Sequence, residues 1–368
     1  MLLSLIFFNR QKIDFNDFAL FGTLSIITVI YFVLGISDNL NSDKPLLDST
    51  YLIFQLIKFF LGILLIATFI NLFQDENDMR LFIKSAAVLI TPVIFYLSWK
   101  YLIIYEKDYI GVVVDDALSG MKTYKNSLAT SLALFTPFFI SCLKTESKTE
   151  LFIYSLAIFS CCFFFYYVNS RSAILIFVIE LLVLYLFAKS KKIKKMVNIF
   201  SILTITILIS LGFSTSDWFK KSGAYSDSGF NLIVTKTFFE THRGELLIEA
   251  SKGIIDSGGI GNGIATFRIR DSNQGHRTDS HNDYALILYE QGIIGLFFYL
   301  LIIFNRLYFS WVELSRSSNR YLEASFASIV GLSFSLIFIN LVYTSIFWAI
   351  IGINYAISYR LSRFSIKN

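Results

Sequence analysis

The run Asp279-Ser280-His281-Asn282-Asp283-Tyr284-Ala-Leu-Ile-Leu-Tyr289-Glu290-Gln291-Gly292-Ile-Ile-Gly295-Leu-Phe-Phe-Tyr-Leu300 reads as a chain leaving water and entering a bilayer. It opens with polar residues. Beyond Tyr284 the apolar side chains persist long enough to begin a membrane helix. Upstream stand Arg243-Gly-Glu-Leu and Gly259-Ile-Gly261-Asn-Gly263. All three histidines, His242, His276 and His281, fall in this one polar segment. Polar chemistry gathered in one stretch of an otherwise apolar chain marks a site.

Outside that segment the chain is mostly membrane. Of 368 residues, 55% are hydrophobic and only 16% are charged, which excludes an ordinary soluble domain pair. Apolar stretches of about 20 residues recur, each long enough to span as a helix. Ten spans are predicted, at about 18–36, 51–73, 81–104, 125–143, 150–168, 172–188, 196–213, 283–305, 323–343 and 344–362. The fold class is therefore all-α, a polytopic transmembrane bundle with a large external loop of short helices. Three segments follow: helices over 1–213, the loop over 214–282 and helices over 283–368. The first eight residues are too short to cross and lie at the interface. The stretch 105–124 reads as a second, smaller lid or an interfacial helix. Cys142, Cys161 and Cys162 read as small buried hydrophobes, since they lack zinc or disulfide spacing. Pro92 and Pro137 are expected to kink their spans. No removed signal peptide is expected.

Orientation follows from lysine and arginine. Lys189-Ser-Lys191-Lys192-Ile-Lys194-Lys195 is the strongest basic cluster and belongs on the cytoplasmic side. A loop carrying Arg306, Arg316 and Arg320 shares that side, as does the tail with Arg360, Arg363 and Lys367. The 214–282 loop and the turn Asn169-Ser170-Arg171 then face outside together.

Each candidate has a bland reading beside a chemical one. Arg171 at the start of a span either snorkels or holds an anion, because a guanidinium stays charged and presents a planar fork of donors. Arg243 opens a short amphipathic helix outside the membrane and is either solvated or an anion ligand. Gly261 and Gly263 belong to a turn that is flexible or brings backbone close to a ligand. Ser280 and Asp283 fit a capping box before the eighth span, which makes Asp283 a cap rather than an acid. His281 then falls in the first helical turn, where the dipole favours a neutral imidazole able to accept a proton. The same helix end offers N–H groups to an anion. The histidine spacing does not suit a metal site. Glu180, Glu290 and Lys58 lie in apolar spans, and Glu290 is placed to brace the site.

Taken in order, these residues resemble the O-antigen ligase and polymerase superfamily of the Wzy C-terminal domain type. Ser170-Arg171-Ser172-Ala173 resembles its Ser-Arg motif, and Ser280-His281-Asn282-Asp283-Tyr284 its His-Asn motif. Lys125-Asn126-Ser-Leu-Ala129 resembles the start of one of its spans. The resemblance implies a GT-C-like, inverting glycosyltransferase that needs neither metal nor cofactor. Its donor and acceptor are glycans linked to undecaprenyl diphosphate. Arg171 and Arg243 would hold the diphosphate and His281 would activate the acceptor hydroxyl. Asn282, Asp283, Tyr284, Glu290, Gly261 and Gly263 would support them. It also implies the bacterial inner membrane, a site facing the periplasm, contact with membrane lipid and a chain-length regulator of the Wzz type, with no nucleic acid partner.

The superfamily holds polymerases, which join repeat units, and ligases, which move a finished chain to lipid A-core. Many ligases carry another histidine just before the His-Asn pair and often Glu after it. Here Asp279 and Ser280 precede His281 and Asp283 follows Asn282. That form, with the compact length, leans to a polymerase. A transporter ranks below both, because the charges gather in one external loop rather than at paired broken helices.

Overall fold

The computed structural model describes residues 15–40, 45–73, 75–104, 125–145, 147–167, 170–202, 206, 242–267 and 281–365. The expectations for residues 1–8 and 105–124, and for His276, Asp279 and Ser280, lie outside those residues. Among the described residues there are helices and turns and no strands. We label the helices α1 (Phe15–Leu40), α2 (Pro45–Leu72), α3 (Glu76–Ile104), α4 (Lys125–Cys142), α5 (Lys148–Tyr167), α6 (Arg171–Phe187), α7 (His242–Asp256), α8 (Asp283–Arg316), α9 (Arg320–Ser335) and α10 (Ser345–Ser365). Residues 191–202 are also helical. Five of these helices, α1, α2, α3, α5 and α8, are long and apolar enough to cross a membrane. Shorter apolar helices cover Asn126–Cys142, Ser172–Phe187 and Ser345–Ser358. The chain is a polytopic helical membrane protein.

Local chemistry sets where helices begin. Asp75 Oδ1 accepts the N–H groups of Asn77 and Asp78 at 2.7 and 2.9 Å, while Asp78 Oδ2 accepts the N–H of Asp75 at 3.0 Å. That reciprocal pair is a capping box at the head of α3. Asn319 Oδ1 likewise takes the N–H groups of Tyr321 and Leu322 at 2.9 and 3.2 Å, which starts α9. Pro45 opens α2, where its missing N–H costs nothing.

The chain forms two compact units. One comprises Phe73–Val234 and Phe309–Ser335. Within it α4 packs on α5, α6 and α9, and α3 packs on α5. Ala129, Ala133, Leu134, Phe138 and Phe139 of α4 are all buried, so this helix is covered on several sides. Gly331 of α9 lies against the buried Glu180 of α6; a Cβ there would sit 2.8 Å from Glu180 Cγ. The turns at one end of the unit are tied together. Arg80 Nε donates to Glu150 Oε2 at 3.1 Å, Lys189 Nζ to Ser317 O at 2.9 Å and the Lys189 N–H to Glu323 Oε1 at 3.0 Å. Of these, the Lys189 turn and the turn before Arg320 are two that the distribution of lysine and arginine assigns to a single side. Cys142, Cys161 and Cys162 are buried free thiols, as expected. Pro92 and Pro137 lie inside α3 and α4.

The other unit comprises Met1–Leu72, Thr235–Tyr308 and Leu336–Asn368. Here α2 packs on α10 and on α1. Gly62 of α2 meets the indole of Trp348, where a Cβ would lie 2.5 Å from Nε1. Trp348 is fully buried, edge-on to Phe59 at 5.4 Å and beside Phe347. Small residues at such crossings let helices close without help from water, which lipid cannot supply.

Two span boundaries need correction. Arg306 does not lie in a loop: α8 runs on to Arg316, and Arg306 is buried within it. Its guanidinium stands 3.6 Å above the Tyr355 ring of α10 and Nη2 donates to Asn305 Oδ1 at 3.0 Å. A charge with such partners need not end a helix. The ninth span, expected over 323–343, stops at Ser335. Residues 336–344 fold into turns whose reason lies at the head of α8.

Candidate functional site

The head of α8 is built from three consecutive residues with different tasks. Asn282 is the cap: its Oδ1 accepts the Ala285 N–H at 3.1 Å, while its carbonyl accepts from Leu286 at 2.9 Å. Asp283 is not the cap that the sequence suggested. Its Oδ2 accepts the N–H groups of Leu341 and of Val342, the latter at 2.9 Å, and its own N–H donates to Leu336 O at 2.8 Å. Asp283 is fully buried and pins the 336–344 turn to the start of α8. That turn ends the ninth span early, because its backbone groups are satisfied by Asp283 and not by a continuing helix.

His281 stands before the cap, not within the first helical turn. It is half-buried, and its φ of +52° is a left-handed value uncommon outside glycine. The helix-dipole argument therefore weakens, since that field fades beyond the terminal turn. The Asp283 and Ala285 N–H groups already have protein partners. Tyr284, the next residue, is half-buried.

About 14 Å further along α8 the helix breaks, nine residues on at 1.5 Å each. Gly292 has φ +64° and ψ −168°. The turn that follows α7 inserts at this break. Asn262 N donates to Tyr289 O at 2.9 Å and Gly263 N to Glu290 O at 2.8 Å, carbonyls that a continuous helix would have used itself. Ile293 N donates instead to Gly259 O at 3.0 Å. The exchange leaves these groups paired, which is how a membrane helix tolerates a break. A Cβ on Gly261 would lie 2.5 Å from Gly292 N, and one on Gly292 2.5 Å from Gly259 O. The close backbone approach expected of these glycines is thus made to the protein's own helix.

Glu290 and Gln291 sit at the same break and are buried. The Tyr343 hydroxyl donates to Glu290 Oε2 at 2.9 Å and accepts from Gln291 Nε2 at 3.0 Å. Glu290 thus has a partner on the turn that Asp283 holds. Tyr31 of α1 completes the joint, its hydroxyl donating to Ile260 O and its carbonyl accepting from Ile264 N at 3.0 Å. Tyr31, Leu341, Val342 and Tyr343 were missed in the sequence. They are ordinary apolar or aromatic residues far away along the chain, and no local pattern marks them.

Arg243 is the second residue of α7, in the same unit as His281, Asn282, Asp283, Tyr284, Glu290, Gly261 and Gly263. Arg171 is the first residue of α6 and belongs to the other unit. Before it, Ser170 is fully buried with extended backbone, its N–H donating to Phe165 O at 3.2 Å. The helix starts expected at both arginines are present.

A polytopic helical membrane protein, with His281 at the head of α8 beside a residue that holds the 336–344 turn, is the class that the fold and site define. Residues 156–300 match the family model described as O-antigen ligase, the model of the O-antigen ligase and Wzy superfamily. It runs from within α5 to within α8 and contains Arg171, Arg243, the glycine turn, His281 and Glu290. The 336–344 turn lies beyond it. No curated protein matches the chain. The family supports a function of the O-antigen ligase or polymerase type, with a glycosyltransferase-like activity in general.

Proposed function

We propose that the protein is an O-antigen polymerase, joining repeat units carried on undecaprenyl diphosphate at the periplasmic face of a bacterial inner membrane. The family match, which spans Arg171, Arg243 and His281, supports a function of the O-antigen ligase or polymerase type, and the Asp279-Ser280-His281-Asn282-Asp283 form of the motif leans it to a polymerase. In the proposed reaction the imidazole of His281 takes the proton of the acceptor hydroxyl. That oxygen attacks the anomeric carbon of the donor as the bond to the diphosphate oxygen breaks. The electron pair leaves with the polyprenyl diphosphate, whose growing charge Arg171 and Arg243 offset. Direct displacement inverts the anomeric centre. The leaving group is already activated, so fixed cationic donors suffice and no metal is invoked.

The structure adds a reason for the order of the motif. Asn282 and Asp283 are engaged with backbone, which fixes the peptide to which His281 is attached. A base that is held in place loses less freedom on reaching its transition state. Ligase activity is the second reading, favoured by the description of the family model itself. The two separate in proteoliposomes loaded with undecaprenyl-diphosphate-linked repeat units, with and without lipid A-core. Lipid-linked polymer formed without lipid A-core supports polymerase. Product appearing only on lipid A-core makes it a ligase. Wild-type turnover in Ala variants of Arg171, Arg243 and His281 would overturn both.

A further inference from the structure

The turn after α7 has features that an aqueous loop does not need. From Gly258 through Ile264 every backbone N–H has a partner inside the protein. Gly258 and Gly259 donate to Ile255 O and Ile254 O, each at 2.9 Å, Ile260 to Ser257 O at 3.2 Å and Gly261 to Ser257 Oγ at 3.3 Å. Asn262, Gly263 and Ile264 donate to Tyr289, Glu290 and Tyr31 carbonyls. Water would satisfy such groups free of charge, whereas hydrocarbon would leave them orphaned.

Its neighbours fix its depth. On α8 every residue from Asp283 to Gly292 is buried or half-buried, but exposure then begins at once, with Ile293 63% and Ile294 57% exposed. The glycine turn docks at that boundary. On α1 it meets Tyr31, which lies inside the apolar window Ala19–Ile36 and is flanked by the exposed Ile30 and Val33. Between these two helices Ile260 is 66% exposed, and Ile255, beside the exposed Asp256 at the end of α7, is 76% exposed. Exposed isoleucines on a turn tied by hydrogen bonds to two apolar helices fit acyl chains better than water.

We propose that the glycine turn is seated below the outer surface of the bilayer, with Ile255 and Ile260 immersed among the acyl chains of the surrounding lipid. Helix α7 is then an interfacial helix anchored at its C-terminal end, not a freely soluble one. Lys252, one turn before Asp256 on the exposed side, can reach back to the head groups along its own stem. The Arg243 end of α7 stands about 18 Å from Ile255 along the helix, so the anchor ties that end to the membrane surface. The inference rests on the membrane reading of α1 and α8 and goes beyond any assignment of the reaction.

The test is depth, read without activity. Ile260→Cys and Ile255→Cys are labelled separately with a nitroxide in full-length protein, in phosphatidylethanolamine–phosphatidylglycerol vesicles. Labelled wild-type protein supplies the background from its buried thiols. Collision with oxygen, which concentrates in acyl chains, is compared with collision with a water-soluble nickel chelate. Both sites are expected to favour oxygen severalfold more than Lys191→Cys does, as Phe297→Cys on α8 does. Dominant nickel collision at Ile260 overturns the proposal in favour of an aqueous loop. Low collision with both reagents also overturns it, because another protein surface would then cover the two isoleucines.

Discussion

The Tyr343 hydroxyl donates to Glu290 Oε2 at 2.9 Å, joining a turn beyond the matched domain to the broken middle of α8. Both residues are buried. Tyr343→Phe removes the donor to Glu290 and the acceptor for Gln291 Nε2 together. Each buried hydrogen bond so lost, to a carboxylate or an amide, costs about 0.5–3 kcal/mol. The expected result is a clear fall in the thermal midpoint in detergent. Glu290→Gln is expected to cost less, since an amide carbonyl can still accept from Tyr343.

Asp283 accepts two backbone N–H groups of the 336–344 turn. Asp283→Ala is expected to release that turn at a cost of at least about 2 kcal/mol. Amide hydrogen exchange followed by mass spectrometry checks it: peptides covering Leu341 and Val342 exchange faster in the variant. Asp283→Asn keeps an acceptor and loses charge, so its exchange falls between the two.

Asn282 caps α8, and Asn282→Ala is expected to destabilise by about 0.5–2 kcal/mol. Asn282→Asp preserves the cap. A stable Asn282→Asp protein that makes no polymer would show that the amide also serves the reaction; one with full turnover would limit Asn282 to the cap.

At Gly261 a Cβ would fall 2.5 Å from Gly292 N, on backbone that cannot yield. Gly261→Ala is therefore expected to abolish properly folded protein, seen as loss of the monodisperse peak on size exclusion. Gly258→Ala, where nothing stands within 4 Å, is the control. It meets only the left-handed backbone cost, about 1–2 kcal/mol.

For the proposed reaction, removing a general base lowers turnover by roughly 10²–10⁴-fold. His281→Ala should do so with little change in KM, in the proteoliposome assay. Arg171→Lys should recover only part of what Arg171→Ala loses, because an ammonium lacks the planar fork that grips two phosphate oxygens.

Much of this was open to a reader of the sequence. Apolar runs long enough to cross a bilayer fix helices by themselves, because backbone in lipid must pair within its own segment. Basic residues say which turns are expected to share a side. His281, Arg171 and Arg243 stand out because charge and imidazole are scarce in so apolar a chain. The roles of Asn282 and Asp283 were not legible, since both are good capping residues and only the neighbouring backbone decides which one caps. Arg306 reads in the sequence as a loop residue, and only the Tyr355 ring beneath it accounts for its place inside a helix. The ninth span ended early because Asp283, more than fifty residues upstream, takes the N–H groups of Leu341 and Val342. Likewise Gly261 read as part of a separate turn and Gly292 as part of an unbroken span, and only packing shows that they are two halves of one joint. Local propensity and hydropathy are properties of neighbours along the chain and so are written in its order. Hydrogen bonds between distant segments depend on which backbone groups remain unpaired after folding, and the tertiary structure alone decides that.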